Sequence, residues 1–393
     1  MASERLRVVH VVDSLAGSGG AENRLVEEVL ALTGRFDQRV VRLYERDYLQ
    51  PRLEAAGVPV VALGFTAARA GRTWPVAARR LRRVLRTWRP DIVHTTLFSG
   101  NLVGQLASRR LGIPVVSSFN RTGELDLQRA LQPGVASWKG RVMHAVARWA
   151  GRRSDVHYRA VSEYARRTNC ELFRISPQQV TVVPRGIEVD QSASLAGRDA
   201  FGLPAGGSLF VNVARLVPEK GQALLVDAFA AMHAALPGAH LAIAGSPGPA
   251  EPGVRAAVSR HGLDGAVHLL GFRADARALI AAADVFVLSS LSEGSPGVVL
   301  EAMALGTPVV AFDIPPVAEL TDGGRHARMV PAGSAAALGD AMMESLRSAT
   351  SDGEVAGAGA WAARFDMATV ALHLGDLLEQ RARHRPAQAG TRP

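Results

Sequence analysis

The chain of 393 residues holds one cysteine, Cys170. A single thiol closes no internal disulfide and builds no multi-cysteine metal site, so a reducing, cytoplasmic setting is expected. Lysine is nearly absent. Lys139 and Lys220 are the only two among 45 basic residues, and arginine supplies the rest. A GC-rich coding bias accounts for that preference, and it makes each lysine a position worth testing. No charge-free apolar run reaches about 18 residues, which argues against a membrane-spanning helix. The opening Met1-Ala-Ser-Glu-Arg-Leu-Arg leads into a short apolar run without a small-residue cleavage site. It reads as the approach to a first strand and not as a signal peptide.

Several site signatures are missing as well. There is no G-x-x-x-x-G-K-[ST] loop, no H-E-x-x-H and no G-x-S-x-G. Gly17-Ser-Gly-Gly-Ala-Glu22 lacks the third glycine of the dinucleotide fingerprint. No D-x-D pair is available to hold a divalent cation, so metal-dependent phosphate chemistry is disfavoured and no metal ligands are assigned.

What is present is globular in composition: 48% apolar and 21% charged residues. At about 150 residues per domain, the length predicts two to three domains. The net charge of +9 is unevenly spread. Residues up to Ala196 carry 30 basic and 17 acidic side chains, and the remainder 15 and 19. A first part at +13 beside a second at −4 points to two domains with different partners.

Continuous Val/Ile/Leu runs alternate with amphipathic helical patterns throughout, as in parallel sheets covered on both faces. Strands are predicted at 6–12, 38–43, 58–63, 91–95, 114–119, 157–161 and 180–183. A second series falls at 209–214, 240–244, 267–270, 285–288 and 308–312. Between the series, Pro184–Ala205 is rich in Pro, Gly and Ser and marks the boundary. The reading is an α/β chain of two doubly wound, Rossmann-like domains, 1–186 and 208–360, joined by a linker at 187–207. A final helix at 361–384 and a frayed tail at 385–393 complete it.

Open α/β sheets bind ligands beyond the carboxyl ends of their strands. Three such loops stand out. Gly19 and Gly20 precede a helix, where glycine lets backbone approach a ligand and free N–H groups face an anion; a plain tight turn is the alternative. Arg215 and Lys220 flank a strand-to-helix connection and could neutralise a diphosphate without metal; solvated surface charges are the alternative. The richest segment is Ser289-Ser-Leu-Ser-Glu293-Gly-Ser-Pro-Gly-Val-Val-Leu-Glu301-Ala-Met-Ala-Leu-Gly-Thr-Pro308, with a helix expected at 296–305, Ser295 as its cap, and the N–H groups of Gly297, Val298 and Val299 facing the ligand edge. Glu293 and Glu301 could accept hydrogen bonds from sugar hydroxyls.

These residues resemble the retaining glycosyltransferases of family 4, whose GT-B architecture sets two Rossmann-like domains face to face. Glu293 and Glu301 meet the family's E-x7-E signature. Gly19-Gly-Ala-Glu22, Pro90-Asp-Ile-Val-His94, Ala160-Val-Ser-Glu163, Val182-Val-Pro-Arg-Gly-Ile-Glu188 and Val213-Ala-Arg-Leu-Val-Pro-Glu-Lys-Gly-Gln222 match further blocks in family order, over nearly the whole chain. The resemblance implies hexosyl transfer from a nucleotide sugar, a UDP-sugar by preference, with no metal and no further cofactor. It implies that Arg215 and Lys220 hold the donor diphosphate and that Glu301 binds the ribose. It implies that Glu293 contacts the donor sugar, that the Gly19–Gly20 loop closes over the diphosphate, and that the base packs near Phe272 and Arg273. Two positions depart from the pattern. Asn120 stands where members often carry a histidine near the reacting sugar; it can hydrogen-bond there but cannot act as a base. Arg185-Gly186 replaces the family's Asn-Gly. His94 and His144 read as packing residues.

The first domain is expected to hold the acceptor. Val76–Trp88 carries five arginines opposite an apolar face, and Trp138–Arg153 is similar. Such helices either cover a sheet or lie on an anionic bilayer. Nucleic acid is not expected, because the arginines lack interleaved aromatics. The resulting expectation is transfer to a lipid-linked or polysaccharide precursor, at the inner membrane face. The alternatives are glycosylation of a soluble natural product, and a sugar-nucleotide-binding protein without transferase activity.

Overall fold

The computed structural model describes residues 5–17, 20–66, 70–120, 138–152, 155–188, 196–348 and 352–384. Gly19, the proposed tail 385–393 and the side chains of Lys139 and His144 lie outside what it describes. The described residues up to Gly186, together with those from Met367 onward, form one unit; Ile187–Asp366 forms the other.

The first unit is built on β1 (Arg7–Val12), β2 (Asp37–Tyr44), β3 (Val60–Phe65), β4 (Ile92–Thr96), β5 (Val115–Phe119), β6 (Val156–Ala160) and β7 (Val180–Val182). These make one parallel sheet in the order β3-β2-β1-β4-β5-β6-β7. Its helices are α1 (Gly20–Ala31), α2 (Gln50–Ala55), α3 (Ala70–Trp88), α4 (Phe98–Ser108), α5 (Trp138–Arg152) and α6 (Glu163–Phe173). Both faces of the sheet are buried, which is why the strands are rich in valine. On one face Val9, Val11, Val93 and Val115 pack with Leu81 and Leu85 of α3 and Val103 of α4.

The second unit contains β8 (Leu209–Val213), β9 (His240–Ala244), β10 (Val267–Gly271), β11 (Val285–Leu288), β12 (Val309–Asp313) and β13 (Arg328–Pro331), all parallel, in the order β10-β9-β8-β11-β12-β13. Its helices are α7 (Gln222–Ala235), α8 (Glu251–Arg260), α9 (Ala276–Ala281), α10 (Gly297–Ala304), α11 (Pro315–Leu320), α12 (Ala335–Ser348) and α13 (Asp352–Ala362). In each sheet the chain works outward one way and then returns to the other side of its first strand. The order therefore reverses beside β1 in one unit and beside β8 in the other, and those crevices are where doubly wound sheets take ligands.

The terminal helix differs from the sequence reading. The helical pattern is broken at Asp366, whose backbone is extended (ψ 139°) after a short turn at Ala363–Phe365. Only α14 (Met367–Arg383) continues, and it belongs to the first unit. Its Val370, Leu374 and Leu378 pack on Val8, Ile92 and Val116, closing the second face of that sheet. Among the described residues no helix is long and apolar enough to cross a membrane.

The first sheet also carries a buried polar row. Gln38 Nε2 donates to Val29 O at 3.0 Å, which orients its amide so that Oε1 accepts from His10 Nε2 at 3.0 Å. A neutral His10 then has only Nδ1 left as an acceptor, and His94 Nδ1 lies 3.1 Å away and must donate to it. His94 Nε2 in turn accepts from Ser118 Oγ at 2.9 Å. One proton assignment thus satisfies the whole row across β2, β1, β4 and β5. Burial holds both rings neutral, pushing His10 down to about 4 and His94 well below 6.5.

Candidate functional site

The crevice beside β8 is shaped by backbone that only small residues allow. After β8 the chain bends at Leu216–Val217, where Val217 N donates to Arg215 O at 2.9 Å, makes a 3-10 turn at Pro218–Lys220, and reverses at Gly221 with φ +63°. A Cβ at Gly221 would overlap the Ser289 carbonyl as well as strain the backbone, so glycine is required there. At Gly245, just past β9, a Cβ would overlap the Ala214 carbonyl, so the two loops meet through bare backbone. Gln222, 1% exposed at the start of α7, sends Nε2 back to Arg215 O at 2.9 Å. These contacts fix the main chain of Ala214–Gly221 and leave its two cations to differ. The Arg215 side chain is exposed and makes no ion pair or hydrogen bond among the described residues. Lys220 is half-buried and turned towards the loop that follows β11.

That loop begins with two serines. Ser289 and Ser290 are 0% and 1% exposed. Ser289 Oγ donates to Lys220 O at 2.9 Å, and Leu291 N donates to Glu219 O at 2.8 Å, so the loops after β8 and β11 are stitched together. Ser290 Oγ donates to Glu293 Oε1 at 2.8 Å, and Lys220 Nζ donates to the same oxygen at 2.5 Å. The two charged side chains keep only 16% and 12% exposure, so water screens them little. Lys220 and Glu293, read from sequence as separate candidates, therefore form one hydrogen-bonded ion pair at the switch point.

Helix α10 begins directly after this loop. Its N-cap is Pro296, with no side-chain cap, so Ser295 does not take the capping role expected of it. Proline suits the position because it lacks an N–H and cannot extend the helix backwards. The first N–H groups, at Gly297, Val298 and Val299, have no helical turn before them to bond, although Val299 N does reach Pro296 O at 3.1 Å. Glu301 lies one turn further on and is half-buried. Phe272 and Arg273 are not joined to this cluster. They follow β10, the edge strand, where Phe272 is 51% exposed. Arg273 is bound to Asp275 at 2.8 and 2.5 Å and lies over the Phe201 ring at 5.1 Å.

In the first unit, Gly20 opens α1, and Arg185 Nη2 donates to its carbonyl at 2.6 Å. A Cβ at Gly20 would overlap the Arg185 guanidinium, so the arginine that departs from the family pattern uses the space this glycine leaves. Asn120 follows β5, and its Nδ2 is buried with no partner. Two carboxylates there escaped sequence reasoning. Asp13, immediately after β1, accepts from Gly100 N at 2.6 Å and so caps the start of α4; burial pushes its carboxyl up to about 6. Glu22 is 7% exposed and accepts a short hydrogen bond from Ser14 Oγ. The signal for Asp13 was its place directly after a valine run. Ser289 and Ser290 gave none, since serine at a strand end is ordinary loop chemistry.

Comparison with known proteins adds to this geometry. Residues 18–191 match the model of Glycosyltransferase Family 4, and residues 207–348 match that of the glycosyl transferases group 1. The phosphatidyl-myo-inositol mannosyltransferase of Mycobacterium leprae is 29% identical over 306 residues, covering 76% of each chain. The 2-deoxystreptamine N-acetyl-D-glucosaminyltransferase of Streptomyces fradiae is 31% identical over 280 residues, 67% of this chain and 65% of that one. The crystal structure of Anabaena HepE in complex with UDP and glucose has the same fold, with a TM-score of 0.79, 22% identity, and 94% of this chain and 99% of that one covered.

Proposed function

The chain belongs to glycosyltransferase family 4, with the GT-B fold, and we propose that it moves a hexosyl group, with retained configuration, from a nucleoside diphosphate sugar to a lipid-linked or saccharide acceptor. The observation that carries this reading is the cluster at the β8/β11 switch point, where Lys220 is held against Glu293 and Arg215, in the same loop as the lysine, has no partner among the described residues. A departing diphosphate gains negative charge as the glycosidic bond breaks. Two cations carried by the same loop, Arg215 and Lys220, would lower that barrier by neutralising it, in place of a divalent metal. The N–H groups opening α10 add to the same field.

In the bound state the diphosphate would take Lys220 from Glu293. The freed carboxylate, still held by Ser290, would accept hydroxyl protons from the donor sugar, and Glu301 would do the same for the ribose. Asn120 has an amide and not a base, so its part is confined to hydrogen bonding. Phe272, the exposed ring beyond β10, is assigned to the base; Arg273 is already engaged by Asp275 and would act by holding that turn. UDP is taken as the carrier because a protein of the same fold binds it.

The acceptor is read from charge and from relatives. The first unit's helices α3 and α5 contain no acidic residue. An anionic acceptor, or an anionic membrane surface presenting it, complements them. The similar mycobacterial protein is named for a phosphoinositide acceptor. A soluble acceptor is the second reading, favoured by the likeness to a 2-deoxystreptamine enzyme. Mass spectrometry of products from a panel of nucleotide sugars and acceptors tests both. A glycosylated lipid supports the first and a glycosylated aminocyclitol the second. Nucleotide binding with neither product nor donor hydrolysis would leave a binding protein.

A further inference from the structure

The first unit contains a cavity of about 280 Å³, none of whose lining residues has a part in the proposed transfer. It lies on the sheet face covered by α4, α5 and α6. Its inner wall is aromatic: Phe119 stacks on Tyr158 with ring centroids 4.8 Å apart and on Phe173 at 5.6 Å, the planes within 5° of parallel. Phe98, Leu102, Ala147 and Ile175 add to the apolar lining, and Asn101, Gln105 and Gln179 add polar groups. Arg148, Arg152 and Arg174 also line it, and no aspartate or glutamate does. None of the three arginines has an ion-pair partner among the described residues.

The arginines are gathered at one end. Arg148 and Arg152 belong to the last turns of α5, ahead of β6, and Arg174 ends α6, ahead of β7. They therefore mark the amino ends of the strands, the edge opposite to the one where doubly wound sheets hold reacting ligands. Phe119, at the carboxyl end of β5, marks the other limit. One further group lacks a partner. Tyr158 is 6% exposed, lines the cavity, and its hydroxyl makes no hydrogen bond among the described residues. Burial pushes that phenol up to about 12, so it stays a donor at any working pH. A Cβ at Gly151 would overlap the hydroxyl, so the glycine leaves it room. The hydroxyl is therefore free to donate to a ligand in the cavity.

We propose that this cavity binds a phosphate monoester of a single hydrocarbon chain, with the phosphate at the Arg148–Arg152–Arg174 mouth and the chain along the Phe119–Tyr158–Phe173 wall. The chemistry on both sides is specific. Guanidinium forks match phosphate oxygens in pairs and are weakly hydrated for cations, so they bind phosphate at a partly apolar mouth. The aromatic wall adds nothing to the binding of inorganic phosphate, and the three arginines add nothing to that of a neutral alcohol. The Tyr158 hydroxyl gives the ester or a phosphate oxygen the donor it lacks. It shares no residue with the switch-point cluster, so it stands or falls independently of the proposed transfer.

Isothermal titration of the full chain with geranyl monophosphate, geraniol and inorganic phosphate tests this. Geranyl monophosphate should bind at least tenfold more tightly than either of the others. Ala147→Trp, which fills the cavity without changing charge, should weaken that binding at least tenfold. So should Arg148→Gln combined with Arg174→Asn; asparagine tolerates the left-handed backbone at 174 (φ 54°). Melting temperature and UDP binding serve as controls for folding, and the arginine variants keep the test open if the tryptophan variant melts early. No binding of geranyl monophosphate, equal binding of geraniol, or unchanged affinity in the folded variants would overturn the proposal.

Discussion

Lys220 and Glu293 are 73 positions apart in the chain and meet at 2.5 Å. The contact depends on two neighbouring serines, one holding the lysine's main chain and the other the glutamate's carboxylate. A cation and a carboxylate that neutralise each other are poised for exchange. A diphosphate that takes the cation leaves the carboxylate with the serine alone.

Removal of the cation should be felt in turnover. Lys220→Ala is expected to lower it by ~10²–10³, the range for losing one transition-state donor. The check is nucleotide release from donor at saturating concentration. A rate within a factor of about three of wild type would contradict the role, since it corresponds to under ~1 kcal/mol of barrier.

Ser290 acts through Glu293 and should behave as a positioning residue. Ser290→Ala removes one hydrogen bond to a charged oxygen, worth about 1.5–3 kcal/mol. The expected signature is a fall of about tenfold or more in kcat with KM for donor little changed, and substantial recovery in Ser290→Thr. A change confined to KM, or none, would show that Glu293 is aligned by Lys220 alone.

The strand runs are legible in the sequence because both faces of each sheet are buried, so valine, isoleucine and leucine dominate them despite single polar residues such as His10 and Asn212. β13 is not, because its four residues include an arginine and a proline. The break at Asp366 is hidden for a different reason: the residues around it have ordinary helical composition, and what stops the helix is docking of α14 on the first sheet. At the site, the separate positions of Arg215, Lys220, Glu293 and Glu301 can be read from loop chemistry and family pattern. Their pairing cannot, because it arises from the strand order that sets β8 beside β11. The serines and Asp13 become visible only through their partners.

The buried pair of Arg159 and Glu28 offers a stability test. Arg159 Nη2 lies 2.7 Å from Glu28 Oε1, both side chains at most 3% exposed, and the guanidinium also donates to Val183 O and Pro184 O. Arg159→Met strands a buried carboxylate and two carbonyls, and should cost about 3–5 kcal/mol. Adding Glu28→Gln should restore part of the loss. Calorimetry of the single and double variants reads both, and a neutral single variant would contradict the burial of this charge.

Acid sensitivity follows from groups working in opposite directions. Burial lowers His10 and His157 to about 4, and His94 well below 6.5. Between pH 6.5 and 4 the unfolded chain takes up protons on these rings that the folded chain refuses, so stability falls as pH falls. Asp13 opposes this. Raised from 3.8 to about 6, it is protonated in the folded chain through that interval and ionised in the unfolded one, so its contribution grows as pH falls. Asp13→Asn removes only the opposing contribution, and its melting temperature should drop more steeply than wild type from pH 6.5 to 4. Parallel pH profiles would show that Asp13 is not raised.

The most direct measurement is a crystal structure of the chain with UDP bound and no divalent metal added. The diphosphate should lie within about 3 Å of both Arg215 and Lys220, with the Lys220–Glu293 contact opened and Ser290 still on the carboxylate. A diphosphate placed away from both cations, with the ion pair intact, would contradict the proposed chemistry.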